Sequence, residues 1–405
     1  MRKKLSKLGI ILLIMVIMVI SFQFSSSLAK EKVKIAFIGP LTGSTANLGQ
    51  GARNSFQLAV NRYNNGEFGD TKYEYEMVAY DDECASNTAV RVAQKVTSDP
   101  SIVGGVAHYC SMAGISAKPI YERNSFPILV WGAVLPDITN PSTKYINRVC
   151  GTQVEQNEYI ADWLMNFLPE KYGVEPKTFV TICDSSDYGQ GMKEFFTESI
   201  TKRGGEIIGS FDIAVGQKDF STELTKTKEL DPDVVYYGMI APEVIYLREQ
   251  YAEHGLEQLA VSCSGGVNET LVNSLNEDQL EGFVAFNETA PYEKYPGGEE
   301  FINAYNDLDF DLPPEAYGIY SYTGALMLMD AIEQVGPNRS KVADIISNYE
   351  AEESPIGPIK MDENGQNMVQ FFVYVGDDGE QVLWSESEYA GEEKVLPGIE
   401  YMKEK

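Results

Sequence analysis

The chain has 405 residues, with 32 Lys and Arg against 60 Asp and Glu, for a formal charge of −28 and a pI near 4.4. That charge argues against nucleic acid or anionic lipid as the main partner, because both carry the same sign. Hydrophobic residues at 43% and charged residues at 23% exclude wholesale disorder, and two histidines, His108 and His254, leave little from which to build a His-rich zinc site or a Ser-His-Asp triad.

Residues 1–29 begin with Arg2, Lys3, Lys4 and Lys7, run apolar from Leu8 to Ile20, and end Ser25-Ser26-Ser27-Leu28-Ala29. A basic start, a short apolar stretch and small residues at −3 and −1 read as an export signal cleaved after Ala29; a retained anchor is the alternative. No cysteine sits near the cleavage site, so a lipid anchor is not supported. No later stretch is long and apolar enough to span a bilayer, and the mature protein is expected to be soluble and periplasmic or otherwise extracytoplasmic.

Val33–Ile38 is an apolar run ending in Gly39-Pro40, the pattern of a buried strand. After a Gly/Ser/Thr/Asn loop, residues 50–63 carry apolar positions at helical spacing. Strand 73–80, helix 87–98, strand 102–107, helix 112–124 and strand 127–131 follow. The order then repeats with strand 178–183, loop 184–189, helix 191–203, strand 206–213, helix 220–229, strand 234–237, helix 242–254 and strand 259–263. Segments 282–288 (strand), 314–335 and 340–349 (helices) and strands near 359–361 and 368–375 complete the chain. Alternating strands and helices imply parallel sheets covered on both faces, here as two similar α/β lobes.

Export makes the five cysteines, Cys84, Cys110, Cys150, Cys183 and Cys263, readable as possible disulfides. If strands 73–80 and 102–107 share a sheet, Cys84 and Cys110 project at the same edge and can bond. The alternative is five small core residues.

Ligands of such sheets bind beyond the carboxyl ends of the strands. The informative loops are therefore 39–49, 107–113, 131–134, 184–189, 237–241 and 262–267. In His108-Tyr109-Cys110-Ser111-Met112-Ala113-Gly114, Ser111 stands where an N-cap would, able to bind an anionic group or simply to cap the helix. Gly132 lets a ligand approach the backbone, between Trp131 and Ala133; Trp131 covers it or fills core. Tyr188 either stacks on a ligand or packs its loop. Ile240 and Gly265 belong to the facing loops. Asp81-Asp82-Glu83 is read as a strand-end loop in preference to a cation site, and His108 as a structural or ligand-contacting residue. The GxGxxG, Walker, GxSxG and HExxH patterns are all absent, so no nucleotide site, cofactor or metal is expected.

Taken together, Val33–Gly43, Tyr80–Cys84, Val103–Ser111, Asp184–Gly191, Lys218–Thr222, Asp231–Gly238 and Pro355–Pro358 resemble, in order along the whole mature chain, the periplasmic solute-binding proteins of branched-chain amino acid ABC transporters, of the type I periplasmic binding fold. The resemblance implies two Rossmann-like lobes joined by a three-crossing hinge that closes on the ligand. We place lobe 1 at 30–152 plus 288–357, and lobe 2 at 153–287 plus 358–405 with a C-terminal tail. It also implies a disulfide matching Cys84–Cys110. The ligand carboxylate would be held by Ser111, by N–H groups near Ala113 and by Gly132–Val134, with Tyr188 as cover and Tyr317 lining the pocket. The implied partners are a small-molecule solute and an ABC permease with its ATPase subunits, and the protein is expected to be a monomer. Two positions depart from the family pattern. Its carboxylate-binding threonine falls on Val134, and its acidic acceptor for the ligand ammonium falls on Gly265 or Gly266. The departures weaken the case for leucine, isoleucine or valine, unless Glu269 supplies the charge. A ligand-sensing module and an exported α/β hydrolase are the competing readings; scarce histidine and the missing nucleophile elbow count against the second.

Overall fold

A computed structural model describes residues 30–405; the export signal expected over residues 1–29 lies outside the described residues. Five parallel strands form the first sheet: β1 (Glu31–Gly39), β2 (Tyr73–Asp81), β3 (Ile102–Ala107), β4 (Ile128–Val130) and β5 (Ile146–Arg148), in the order β2-β1-β3-β4-β5. The continuous apolar run of β1 marks an inner strand: Ile35 to Ile38 are wholly buried because both faces are covered. Strand β2 is the edge, with Glu74 and Glu76 exposed on either side of buried Tyr75. Helices α1 (Ala46–Asn64), α2 (Ser86–Ser98) and α3 (Ser111–Arg123) make the crossovers. In α2, Ala89, Val92, Ala93 and Val96 form the inward stripe that its 3.6-residue period requires.

Thr152 opens α4 (Gln153–Asp162) with a reciprocal capping box to Glu155, and the chain enters the second sheet. There follow β6 (Thr178–Asp184), α5 (Asp187–Lys202), β7 (Glu206–Ile213), α6 (Ser221–Leu230), β8 (Val234–Gly238), α7 (Ala241–Glu253), β9 (Leu259–Ser262) and β10 (Val284–Asn287). Its parallel strands stand in the order β7-β6-β8-β9-β10, the same winding as the first sheet.

After β10 the chain returns to the first sheet through α8 (Gly318–Val335) and α9 (Arg339–Ile346). Helix α8 is buried nearly all round because it packs on α1 and on β3. The Ser321 hydroxyl donates to Ala52 O at 2.9 Å, and the Tyr75 phenol donates to Glu333 at 2.9 Å. A short hairpin, β11 (Glu350–Ala351) with β12 (Ile359–Lys360), precedes the last crossing, after which β13 (Phe372–Asp377) extends the second sheet antiparallel to β10 and β14 (Glu380–Leu383) pairs antiparallel to β13 at its edge. The lobes are thus joined three times. The first and third crossings hold each other: Arg148 N donates to Gly365 O at 2.8 Å, and Asn367 N to Arg148 O at 3.1 Å. No described helix is long and apolar enough to cross a membrane.

Several boundaries differ from the sequence reading. The helix expected from 314 starts at Gly318, because Pro313-Pro314 cannot donate into a helical ladder and Glu315 turns the chain at φ +56°. The helix expected to 349 stops at Ile346; the Tyr349 carbonyl already accepts from Met361 N at 3.0 Å at the head of the β11–β12 hairpin. The strand expected from 368 begins at Phe372, the first residue with a partner on β10. Strand β14 was not anticipated. Its turn, Asp378-Gly379, holds φ +52° and +80°, the conformation for which an Asp-Gly pair is the usual sequence signal.

Candidate ligand-binding cleft

The carboxyl ends of β1, β3 and β4 face those of β6, β8 and β9, and between them lies a cavity of about 230 Å³. That is smaller than the ~300–1,000 Å³ typical of sites for drug-sized ligands, and suits a small metabolite. Of the expected site residues, Tyr109, Ser111, Met112, Gly132 and Val134 line it from loops of the first sheet. Tyr188, Ile240 and Gly265 line it from the second, and Tyr317 from the turn before α8. Three do not reach it. Trp131 and Ala133 are wholly buried behind the wall. Trp131 donates its indole N–H to Ile38 O at 3.1 Å and stacks on Tyr109 with ring centroids 5.4 Å apart, so it backs a wall residue instead of covering a ligand. The Ala113 amide, expected to face the ligand, donates to Cys110 O at 3.1 Å and is used within the helix turn.

The N-cap of α3 is Cys110, and Ser111 is its first helical residue, one position later than expected. The Ser111 oxygen accepts from Leu135 N–H at 3.3 Å, which leaves its own proton free to donate. The amides of Ser111 and Met112 lie in the first turn and have no intrahelical acceptor. With the helix dipole they make this end of the cavity a donor pole suited to a carboxylate. Beside it, the disulfide Cys84–Cys110 joins the loops after β2 and β3, with Cα atoms 5.4 Å apart. Cys150, Cys183 and Cys263 remain as buried thiols.

His108 does not border the cavity. It is wholly buried, with Nδ1 at 2.7 Å from Asp82 and Nε2 at 2.9 Å from the Tyr121 hydroxyl. The acidic run beside it is consumed by loop bonds: Asp81 accepts from Leu41 N at 2.9 Å and from the Thr42 hydroxyl at 2.6 Å, while Asp82 also accepts from Cys84 N at 2.9 Å.

On the opposite side, the structure leaves no room for a side chain at either of the two glycines on which the resemblance would place an acidic acceptor. A Cβ on Gly265 would lie 2.0 Å from Met239 O, and one on Gly266 would lie 2.6 Å from the Ser262 side chain. Glu269 is exposed at the start of a short helix, and its carboxylate is not on the cavity wall. A buried carboxylate does stand behind that wall, bonded to two of its residues, and sequence reasoning missed it. Glu288, just beyond β10, is 1% exposed; its Oε1 accepts from the Tyr317 phenol at 2.9 Å and its Oε2 from the Ser264 hydroxyl at 3.1 Å. Burial pushes the Glu288 carboxyl up, against the pull of those two hydroxyls and of the nearby Arg148 charge. Arg148 itself is buried and donates to the carbonyls of Val134 and Leu135 and to Gln366.

The remaining wall is aromatic, apolar and acidic. Tyr109 and Tyr317 meet edge to face at 5.4 Å, and the Tyr188 hydroxyl lies 3.1 Å from Cys263 Sγ. Tyr188 sits in the first turn of α5, capped by Ser186, and not in a loop. The charged wall residues are Glu83 and Asp184; no Lys, Arg or His among the described residues lines the cavity. Burial pushes the Asp184 carboxyl up. Asp184, Ser186 and Ser264 fell inside loops already marked for the cleft, but nothing in their local sequence distinguished them. Val215, past the end of β7, lay outside every such loop.

The family model described as periplasmic binding protein matches residues 32–381. An amino acid binding protein of Pseudomonas aeruginosa is 28% identical over 381 residues, covering 93% of this chain and 98% of its own. A Leu/Ile/Val-binding protein of Escherichia coli K12 is 27% identical, over 85% of this chain and 91% of its own. Among solved structures, a leucine binding protein from Thermotoga maritima superimposes with a TM-score of 0.76 at 24% identity, over 87% of this chain and 97% of its own. A solute binding protein of an ABC transporter from R. palustris, in complex with benzoate, gives 0.75 at 18% identity, over 87% and 95%. At these identities the solved structures share the fold.

Proposed function

We propose that this chain, which belongs to the periplasmic binding protein family, is the extracytoplasmic solute receptor of an ABC importer. It closes on a small polar solute, an amino acid or a related small carboxylate or amide, and releases it unchanged to a membrane permease driven by ATPase subunits. In this reading residues 1–29 direct export and are removed, and the mature protein acts as a monomer. The lobes are residues 30–152 with 288–357 and residues 153–287 with 358–405. One observation carries the proposal: the walls of the 230 Å³ cavity come from loops of both sheets, so a solute held by one lobe is covered by the other when the hinge closes. The relatives' names, amino acid binding and Leu/Ile/Val-binding, support the same solute class.

The test is calorimetric titration of the mature protein with the L-amino acids and small aromatic carboxylates, paired with small-angle scattering. Binding of at least one solute and a smaller radius of gyration in its presence are expected. If no solute binds and every scattering profile superimposes on that of the free protein, the proposal fails.

A further inference from the structure

We propose that Glu288 sets the solute class of the cleft, by orienting the Ser264 and Tyr317 hydroxyls so that they accept from an ammonium or other N–H donor on the solute. The inference rests on the solute-receptor reading above and adds the chemistry of the far end of the solute.

A hydroxyl carries one proton and two lone pairs. Tyr317 spends its proton on Glu288 Oε1, with Asn287 Oδ1 as a second acceptor at 3.3 Å. Ser264 spends its proton on Glu288 Oε2 and accepts from Gln156 Nε2 at 2.7 Å. Both residues line the cavity, and what they have left to offer it is lone pairs. At the other pole Ser111 is arranged the opposite way: it accepts from Leu135 N–H and keeps a proton to give. The cavity is therefore polarised, donors on the first lobe and acceptors toward the hinge.

A zwitterion fits this arrangement, its carboxylate on Ser111 and the first turn of α3, its ammonium on Ser264 and Tyr317 with the Glu288 charge directly behind. A solute with a carboxylate alone fits poorly. It would leave the remaining lone pairs of Ser264 and Tyr317 unpaired and would meet Glu83 and Asp184 on the wall, with Glu288 behind it, without a single side-chain cation on the wall. Glu288 thus takes the place of an acid that cannot stand at Gly265, and it acts through other residues: it is a positioning residue.

The experiment is calorimetry on the mature chain with three amino acids and their des-amino analogues: L-leucine and 4-methylpentanoate, L-valine and 3-methylbutanoate, L-phenylalanine and 3-phenylpropanoate, with benzoate added. The wild type is expected to prefer an amino acid over its analogue by about a hundredfold, and Glu288→Gln to cut that preference about tenfold or more. Tyr317→Phe keeps the ring, removes the relay and should cut the preference likewise, which guards against a folding defect in Glu288→Gln. A purely structural role for Glu288 would weaken both members of a pair alike and leave the preference intact, which overturns the proposal. Equal binding of both members by the wild type, or binding of benzoate alone, overturns it too, while the receptor reading stands. Failure of the wild type to bind any L-amino acid overturns the proposal, and failure to bind any solute of the full panel above, with unchanged scattering, overturns both.

Discussion

A Cβ on Gly265 would lie 2.0 Å from the carbonyl oxygen of Met239, inside contact distance of a backbone atom that the α7 approach holds in place. Any side chain at 265 must displace that backbone. Gly265→Glu, which places an acid at this position, is therefore expected to cost stability and to gain no affinity for amino acids. Gly265→Ala alone should cost about 1–3 kcal/mol. Urea denaturation with and without amino acid measures both; a stable Gly265→Glu variant with tighter amino acid binding contradicts this.

Ionised Glu288 is what makes its two hydroxyl partners acceptors. The groups around it are Ser264, Tyr317 and Arg148, with the Tyr320 and Tyr295 phenols on its backbone carbonyl at 2.7 and 3.3 Å. Burial has raised its carboxyl above the ordinary carboxylate range, so in the free protein it takes up a proton at a higher pH than an exposed glutamate. A cationic ligand group favours the ionised form. Amino acid affinity is thus full above the raised value and falls as the pH drops through it, by up to about tenfold per pH unit. The free protein shows the opposite sign: the contribution of Glu288 to its stability is present at low pH and is lost as pH rises through the raised value. Titrations between pH 4 and 8 should show the decline in the wild type, and Glu288→Gln should flatten it.

The Cys84–Cys110 bridge closes a loop of sequence separation 26 beside the donor pole. Replacing both cysteines with alanine is expected to cost about 3–4 kcal/mol through the greater freedom of the unfolded chain. The denaturation midpoint of the oxidised wild type should fall to that of the variant on reduction, and an unchanged midpoint would count against the bridge as a stabilising element.

Asp82 and His108 lie 2.7 Å apart with no exposed surface on either side chain. Asp82→Ala leaves the imidazole buried against Tyr121 alone and should cost about 2–4 kcal/mol. Because the two groups share one bond, the double variant with His108→Ala should cost less than the sum of the single ones. Strict additivity in a denaturation cycle would show that the pair is not coupled.

Much of the fold is readable locally. Ile35–Ile38 are apolar on successive residues because an inner parallel strand is covered on both faces, and such runs tell inner strands from edge strands without giving their order. Sequence and structure part where context overrides pattern. Pro313-Pro314 holds the start of α8 back to Gly318, and the Asp378-Gly379 turn joins β13 and β14 as a hairpin. At the cleft, loops after strands pointed to most of the wall, yet Trp131 and Ala113 turned out to back or brace it. Their residue types suit a ligand contact and a core position equally well; only the neighbours decide.

What the chain alone determined was the set of parts: strands and helices from the period of their apolar residues, and a pair of doubly wound lobes from their order, because those signals are carried by residues adjacent in sequence. What tertiary structure decided was the polarity of the cleft. Glu288 meets Ser264 and Tyr317 from 24 and 29 residues away, and Gly265 is barred from carrying an acid by Met239, a residue of the preceding strand-end loop. A hydroxyl has no direction until its proton has a partner, and that partner is chosen by the packing of β10 against the turn that opens α8.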